Sequence, residues 1–429
     1  MNKKAIIAIS IGSVLVVGGV ALVLYLFLFA EEPDEAFDNM RDRFPFGERE
    51  PEQTDGDIPD DEGSNDEPDN RDDGASTASI RKLSEHPVVE GGVVSYEKSG
   101  EPHIRYISKG EGKLYEVNVN NGEHQQILGN DEDLFSGAYK VSWMNKDNVL
   151  IFSHNEESSD SKVVAVEFSE DEEGLIWEGA RLPEKTVDAA SYPDGNNFFY
   201  ISEKDIGVNG FTSSFGETST VSGEHLFSSP IRDWLIEWPS GNIITLTTKP
   251  SGHTEGHMYV LNTQTGSLTH PLRGIAGLTT KTSRDASRTI YDQSQNNSTS
   301  LKMYDHEAGS SEEISDMKTL TDKCTFKDEK SFICAEPNDI PSSQVYPDAW
   351  YQGKVSFEDE SFKLVNTDTK DLEEIITPND ISRHFDELDA YDLSFDEERG
   401  DLYFTNKKTG MLWVYEMEDE ENTEESDED

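Results

Sequence analysis

The chain has 429 residues, of which 34% are hydrophobic, and its formal net charge is −52 at pH 7. This length suffices for one large domain or two to three ordinary ones, and the low apolar fraction indicates that part of the chain does not pack. A negative field of this strength repels phosphate backbones, which excludes nucleic-acid binding as a function.

The first predicted element is a membrane anchor at residues 5–30. This uncharged stretch forms a helix of about 39 Å, long enough to cross a hydrocarbon core of roughly 30 Å. It exceeds the apolar region of a cleaved signal peptide, and bulky Leu28 stands where cleavage needs a small residue, so an uncleaved anchor is favoured over a removed signal. Lys3 and Lys4 precede the span, which places residues 1–4 in the cytoplasm and everything after residue 30 outside the cell membrane.

Two acidic segments, a linker at 31–84 and a tail at 418–429, flank the remaining chain. Both are predicted to be disordered, because they lack the apolar side chains that would offset the entropy of ordering. Alternating carboxylates at 54–66 are similar to calcium ligands, but the spacing is not that of an EF-hand loop, so calcium binding is an alternative to a solvated tether. Solubility or salt adaptation explains the acid excess; a preference for cationic partners or divalent metal ions is the alternative.

A repeated pattern of strand, polar turn and apolar strand runs through residues 85–417. Its seven copies begin at Ser95, Ser142, Ser191, Glu237, Thr282, Thr325 and Ser394. The intervals between them are 47, 49, 46, 45, 43 and 69 residues. Such a period is typical of an all-β fold, the β-propeller of four-stranded antiparallel blades. Seven units predict seven blades, and six or eight are alternatives because the third unit is irregular across 203–228.

The second half of each repeat supplies the outer two strands of a blade. Residues 112–128, GKLYEVNVNNGEHQQIL, contain a strand, an Asn-Gly turn and a short second strand, and residues 256–272 repeat this pattern. The last unit, 410–417, has only the third strand. We expect residues 85–91 to supply its missing fourth strand, since closing the ring removes exposed sheet edges.

The hairpins and the segments that follow them resemble the repeats of TolB-like and WD40-like periplasmic propellers over residues 87–417. Pro193, Asp194 and Gly195 form the one copy with that family's clean turn. The whole layout of anchor, acidic tether and propeller also resembles bacterial surface proteins without a known activity. These resemblances imply a propeller fold and no particular function.

The two cysteines flank the turn of the sixth hairpin. Cys324 and Cys334 are symmetric about residue 329, so an antiparallel hairpin centred there places them opposite each other, near bridging distance. An extracytoplasmic location permits oxidation. A structural disulfide is the main prediction; free buried thiols, or a redox or metal role, are the alternatives.

No specific catalytic or metal-binding motif is present in the extracytoplasmic part. It contains neither a G-x-S-x-G elbow nor an H-E-x-x-H pair. His253 and His257 flank Glu255, but in a predicted loop, so the trio does not predict a metal site. The sequence therefore assigns no catalytic residue, no metal site and no cofactor.

The longest interruption of the repeat, 336–353, contains three prolines and the aromatic residues Tyr346, Trp350 and Tyr351. Long loops are often functional, and aromatic side chains can anchor a partner, so these three are the predicted binding residues. The alternative is that they fold over their own blade and seal it. A second irregular loop, 207–225, is expected on the same face.

Three functions follow from this organisation. The favoured one is a membrane-anchored binding or scaffold module for a protein, peptide or glycan at one propeller face. The alternatives are an extracytoplasmic enzyme, such as a glycan hydrolase or lyase with its site at the central channel, and a structural part of an envelope complex. An enzyme predicts titratable side chains with raised pKa values that converge at the channel, whereas the binding module predicts an exposed aromatic patch around Trp350.

Overall fold

The computed structural model describes residues 79–417 except 129–134, 156–159, 172–173, 194, 217–220, 222, 296 and 316. The predicted anchor, the calcium alternative and the C-terminal tail lie outside these residues and stay predictions. Within them, no helix combines the length and apolar character needed to cross a membrane. The chain divides into two compact units, and the fold below is that of the larger one, residues 69–350 and 354–429, within its described range.

The described chain forms seven four-stranded antiparallel sheets, which confirms the predicted seven-bladed propeller. The first strand is β1, Ser79–Lys82. Blade 1 consists of β2–β5, Val94–Lys98, Glu101–Ile107, Leu114–Asn118 and His124–Leu128. Blade 2 consists of β6–β9, Ala138–Trp143, Asn148–Asn155, Asp160–Asp171 and Gly174–Arg181. Blade 3 consists of β10–β13, Thr186–Ser191, Asn197–Glu203, Val208–Ser214 and Glu224–Ser229.

The remaining blades repeat this order. Blade 4 consists of β14–β17, Trp234–Ser240, Ile243–Thr248, Glu255–Asn262 and Leu268–Ala276. Blade 5 consists of β18–β21, Thr280–Thr282, Arg288–Gln295, Ser298–Asp305 and Ser310–Glu313. Blade 6 consists of β22–β25, Cys324–Asp328, Ser331–Pro337, Glu360–Asn366 and Leu372–Ile376. Blade 7 consists of β26–β28, Ala390–Asp396, Asp401–Asn406 and Leu412–Glu416, together with β1. The described helical segments are a 3₁₀ turn, Thr321–Lys323, and two short helices, α1, Asp348–Tyr351, and α2, Pro378–His384.

Strand β1 closes the ring from the N-terminal side. It pairs antiparallel with β28, with Ile80 opposite Tyr415. The predicted N-terminal closing strand is therefore present, but its expected position at 85–91 is wrong, and the propeller begins at residue 79 rather than 85. Pro87 cannot donate to a strand ladder. Residues 85–91 instead lead to blade 1 and touch blade 2, where the Val141 amide donates to the Glu90 carbonyl at 2.7 Å.

The hydrophobic core lies between neighbouring blades. Phe362 of blade 6 and Phe404 of blade 7, both fully buried, have ring centroids 5.0 Å apart. Phe227 of blade 3 meets Trp234 of blade 4 edge to face. Trp234 and Trp238 are 6% and 5% exposed and pack in this layer, as their strand positions predict. Stacked blades thus bury the apolar faces that one blade alone would expose.

The strand directions define two opposite faces. The turn between the first and second strand of every blade lies at one end, which we call the hairpin face. The connection between the second and third strand lies at the other end, which we call the insertion face because β23–β24 carries the long insertion there. The expectation that 207–225 shares this face is wrong: Val208–Ser214 is strand β12, and the connection that follows begins at the hairpin face, where the Phe215 amide donates to the Asn196 carbonyl.

Candidate functional site

The two cysteines lie opposite each other in the inner hairpin of blade 6. Cys324 pairs with Cys334 in the register of β22 and β23, and a disulfide joins them. Both are buried, at 1% and 0% exposure. The disulfide therefore connects two strands inside the core and does not present a thiol at a surface.

The insertion buries the two predicted binding aromatics that lie in the larger unit. Tyr346 and Trp350 are 0% and 2% exposed, so the expected exposed patch around Trp350 does not form. The alternative, that the aromatics fold inward, fits their burial, but the loop contacts blades 4 and 7 and not only its own blade. The Tyr346 hydroxyl donates to the Pro341 carbonyl at 2.9 Å, and the Trp350 indole nitrogen donates to Asp389 at 3.1 Å. Tyr351 is partly exposed, and its binding role stays a prediction.

The insertion crosses the insertion face from blade 4 to blade 7. On blade 4, the Asp348 carboxylate accepts from the Ser251 hydroxyl at 2.8 Å and from the Gly252 amide at 2.7 Å. On blade 7, the Lys407 ammonium donates to the Trp350 carbonyl at 2.7 Å and lies 3.3 Å from the centroid of its ring. Hydrogen bonds to two separate blades thus hold this loop in place.

A fully buried charged triad lies beneath the insertion. The Lys323 ammonium lies 2.7 Å from a carboxylate oxygen of Glu360 and 2.7 Å from one of Asp389, and none of the three side chains is exposed. Asp389 also accepts from the Trp350 indole and the Phe357 amide, and Glu360 accepts from the Ala390 amide at 2.8 Å. These bonds give the charges partners within the protein, as burial requires.

The pKa values show how the triad divides its charge. Burial raises the pKa of Glu360 to about 7, although Lys323 opposes this. Burial alone would raise the pKa of Asp389 as well, but Lys323 and the other groups that act on Asp389 together have the larger effect, so the pKa of Asp389 is lowered. Burial would lower the pKa of Lys323, yet the two carboxyls raise it. An ionised Lys323–Asp389 pair with a protonated Glu360 is electrically balanced. Because no member reaches solvent, the triad is a structural group and not a catalytic one.

Every blade has an ionisable side chain at or just before its inner strand whose charge acts on others of this set. The seven are Glu90, Lys140, Asp188, Glu237, Lys281, Asp322 and Asp392. We call them the channel ring, because their charges act on one another across the propeller. Burial raises the pKa of Glu90 to about 7; Lys140 lowers it, and the charges of Asp392, Asp322 and Asp188 raise it further.

The channel ring has more carboxyls than ammonium groups. The Lys140 ammonium pairs with Asp188 at 2.8 Å. Lys281 acts on both Glu237 and Asp392, whose pKa values are raised mainly by burial. The ring thus has five carboxyls and two lysines, and Lys407 also acts on Asp322 and Glu90. When its carboxyls are ionised, the channel favours positive charge. In the described ranges, no three His, Cys, Asp or Glu side chains are arranged to hold a metal ion.

A cavity of about 770 Å³ opens at the hairpin face. Blades 3 to 7 all line it; the lining includes the partly exposed aromatics Tyr192, Phe326 and Phe395, the basic residues Lys281, Arg284 and Lys330, and the acidic residues Asp285, Asp328, Glu329 and Glu397. Lys281 belongs to both the cavity wall and the channel ring. The cavity therefore joins an aromatic, charged rim to the acidic channel.

Sequence reasoning found neither the triad nor the cavity. An ionisable residue stands within five residues of the start of each of the seven hairpin copies, and aligning the copies on this feature would have exposed the channel ring. Abundant acidic residues elsewhere hid that signal. The cavity could not be predicted without the closed propeller, because it combines turns of five blades that are far apart in the chain.

No protein-family model matches the chain, and no curated protein matches it. Its structure is similar to YCF48 from Cyanidioschyzon merolae, with a TM-score of 0.50 and 10% identity over 79% of this chain and 99% of that one. It is also similar to TolB from Acinetobacter baumannii, with a TM-score of 0.39 and 10% identity over 76% of this chain and 79% of that one. For a puromycin-hydrolysing peptidase of Mycobacterium tuberculosis, the TM-score is 0.46 and the identity is 10% over 77% of this chain and 52% of that one. The chain therefore spans about half of that protein's length. At 10% identity, the similarity to YCF48 concerns the fold alone.

Proposed function

We propose that this protein is a binding module: a propeller held outside the cell membrane by the anchor at 5–30, which takes a partner in the cavity at the hairpin face. The cavity is the observation that supports it. Its volume of about 770 Å³ falls within the range of ligand sites, roughly 300–1,000 Å³. Partly exposed aromatics beside charges of both signs suit a protein or peptide surface.

The difference between the two faces supports the choice of site. On the insertion face, the insertion reaches from blade 4 to blade 7 and buries its own aromatics. On the hairpin face, side chains of five blades surround open volume. A partner that approaches the channel from the hairpin side therefore meets partly exposed aromatic rings.

An enzyme that acts on glycans is the second candidate, and one observation favours it. Glu90 is partly exposed, its pKa is raised to about 7, and other carboxyls of the channel ring act on it. Such a group is suited to general acid catalysis near neutral pH. The buried triad does not add to this candidate, because a substrate cannot reach it.

Charge reversal at the rim tests the proposed site. Arg284 and Asp328 are exposed, so Arg284→Glu with Asp328→Lys reverses two rim charges and leaves the net charge unchanged. The control, Lys109→Glu with Glu373→Lys, makes the same exchange at exposed positions away from the cavity. Partners crosslinked to the full-length protein on cells are compared. We expect about a tenfold loss of captured partner for the rim variant, because reversing two exposed rim charges against a complementary partner costs about 1.4 kcal/mol. Equal capture by both variants would refute the site.

A further inference from the structure

We infer that the partner's segment in the cavity is an extended peptide, and that one of its lysine or arginine side chains enters the channel to meet Glu237 and Asp392. This inference rests on the proposed function, because it assigns the ligand of the same cavity. It follows from where these two carboxyls lie, from the negative charge around them and from the aromatic side chains of the rim above them.

Glu237 lies directly behind the cavity wall. The backbone amide of Thr282, a residue that lines the cavity, donates to the Glu237 carboxylate at 3.1 Å, and the Thr245 hydroxyl donates to the same oxygen at 3.4 Å. Glu237 itself is half-buried. Its carboxylate is thus fixed in direction beside the space that a ligand would occupy.

Asp392 approaches the channel from blade 7. It is half-buried and accepts from the Gly91 amide at 2.9 Å. Gly91 has φ of +102°, and a Cβ there would clash with the Val141 carbonyl, so only glycine presents its amide in this way. The segment 85–91, which precedes blade 1, therefore holds the second carboxylate in position.

The local charge selects a cation. When both are ionised, Glu237 and Asp392 carry two negative charges against the one ammonium of Lys281, which acts on both, and Asp322 adds to the negative charge near Asp392. A second ammonium or guanidinium group would compensate this surplus. A basic side chain on a peptide fits better than a free metal ion, because no three ligands of the described chain converge on one point.

The rim explains why a peptide carries this cation. Tyr192, Phe326 and Phe395 are partly exposed and can pack against a backbone and the apolar stem of lysine or arginine. Charges of both signs at the rim match the mixed polarity of a peptide. A neutral glycan could pack on the rings but would leave the carboxyls uncompensated.

Selection of peptides on the full-length protein tests the inference. Phage-displayed random nonapeptides are selected on the wild type, on Glu237→Gln with Asp392→Asn, and on a control, Glu358→Gln with Glu387→Gln. The control neutralises two exposed carboxyls that pair with Lys408 on the insertion face. Glutamine and asparagine can still accept from Thr282 and Gly91, and thermal melting checks that each variant folds.

We expect the wild type and the control to select peptides with a lysine or arginine, and the channel variant to lose this preference. In fluorescence polarisation, a selected peptide should bind the channel variant about thirtyfold or more weakly. Replacing its basic residue by norleucine should cause the same loss, with little further loss when both changes are combined.

The other outcomes separate this inference from the proposed function. Selected peptides that lack basic residues and bind the channel variant equally well would overturn the inference, while rim-dependent binding would keep the cavity as the site. Binding to a glycan array without peptide binding would also overturn it. Peptide binding that the rim exchange leaves unchanged would overturn both.

Discussion

At the scale of single residues, the triad beneath the insertion shows how this acidic protein keeps two carboxyls and one ammonium in its interior. Its charges balance when Glu360 holds a proton and Asp389 pairs with Lys323. Above the folded pKa of Glu360, about 7, the triad carries a surplus negative charge that no solvent screens. The group is therefore a source of pH-dependent stability.

Glu360→Gln should remove this pH dependence. The folded pKa of Glu360, about 7, lies above the ordinary value of 4.5, so the folded state holds the proton more tightly. Its contribution to stability is fully present below pH 4.5 and is lost as the pH rises through 7. The free energy of unfolding is measured with denaturant at pH 5 and pH 8. The variant's value minus the wild type's should rise by about 1–3 kcal/mol from pH 5 to pH 8. A constant difference would contradict the assignment.

Lys323→Met provides the opposite test at the same site. It leaves Glu360 and Asp389 buried without their cation, which typically costs about 3–5 kcal/mol. Unlike Glu360→Gln, this variant should lose more stability at pH 8 than at pH 5, because both carboxyls are then forced towards ionisation. Equal tolerance of the two substitutions would show that the triad is not organised around Lys323.

Single residues were predictable only where local symmetry determines their surroundings. Cys324 and Cys334 lie opposite each other because a hairpin turn sits midway between them. Trp350 was expected at a surface because its loop is polar. Its burial depends on Asp389, 39 residues later in the chain, which accepts the indole N–H. Sequence periodicity cannot place such a distant partner.

At the scale of elements, the closing strand β1 contributes the fourth strand of blade 7 from the other end of the chain. Ile80 is 5% exposed and joins the cluster between blades 6 and 7. The type and order of the other strands were predictable from the hairpin period. The position of β1 was not predictable, because this four-residue strand lies outside the repeats and has no counterpart in the sequence.

Ile80→Asp should detach β1 from β28 and so open the closed propeller. An aspartate at this buried position lacks a cationic partner, so we expect a loss of about 3–5 kcal/mol in the free energy of unfolding. The control Lys82→Ser, at an exposed position of the same strand, should change it by less than about 0.5 kcal/mol. Limited proteolysis should detect early cleavage near β1 in the first variant. Equal resistance of both variants would mean that β1 is not needed for closure.

At the scale of the whole molecule, the negative charge acts on the folded state as well as on partners. A net charge of −52 opposes association between copies of the chain, but it also destabilises the folded state through self-repulsion. Salt reduces this repulsion, because the Debye length falls from about 10 Å at 0.1 M to about 3 Å at 1 M. The same screening should weaken the attraction between the acidic channel and a cationic partner.

Folding stability and partner binding should therefore respond to salt in opposite directions. Between 0.1 and 1 M sodium chloride, we expect the melting temperature to rise by about 2 °C or more, while affinity for a basic peptide falls. Removing residues 418–429 deletes nine acidic residues, which changes the net charge from −52 to −43, and should reduce the salt dependence of melting. Sulfate and chloride should act alike at equal ionic strength if screening is the cause. A melting temperature that only sulfate raises would indicate exclusion of the salt from the surface instead.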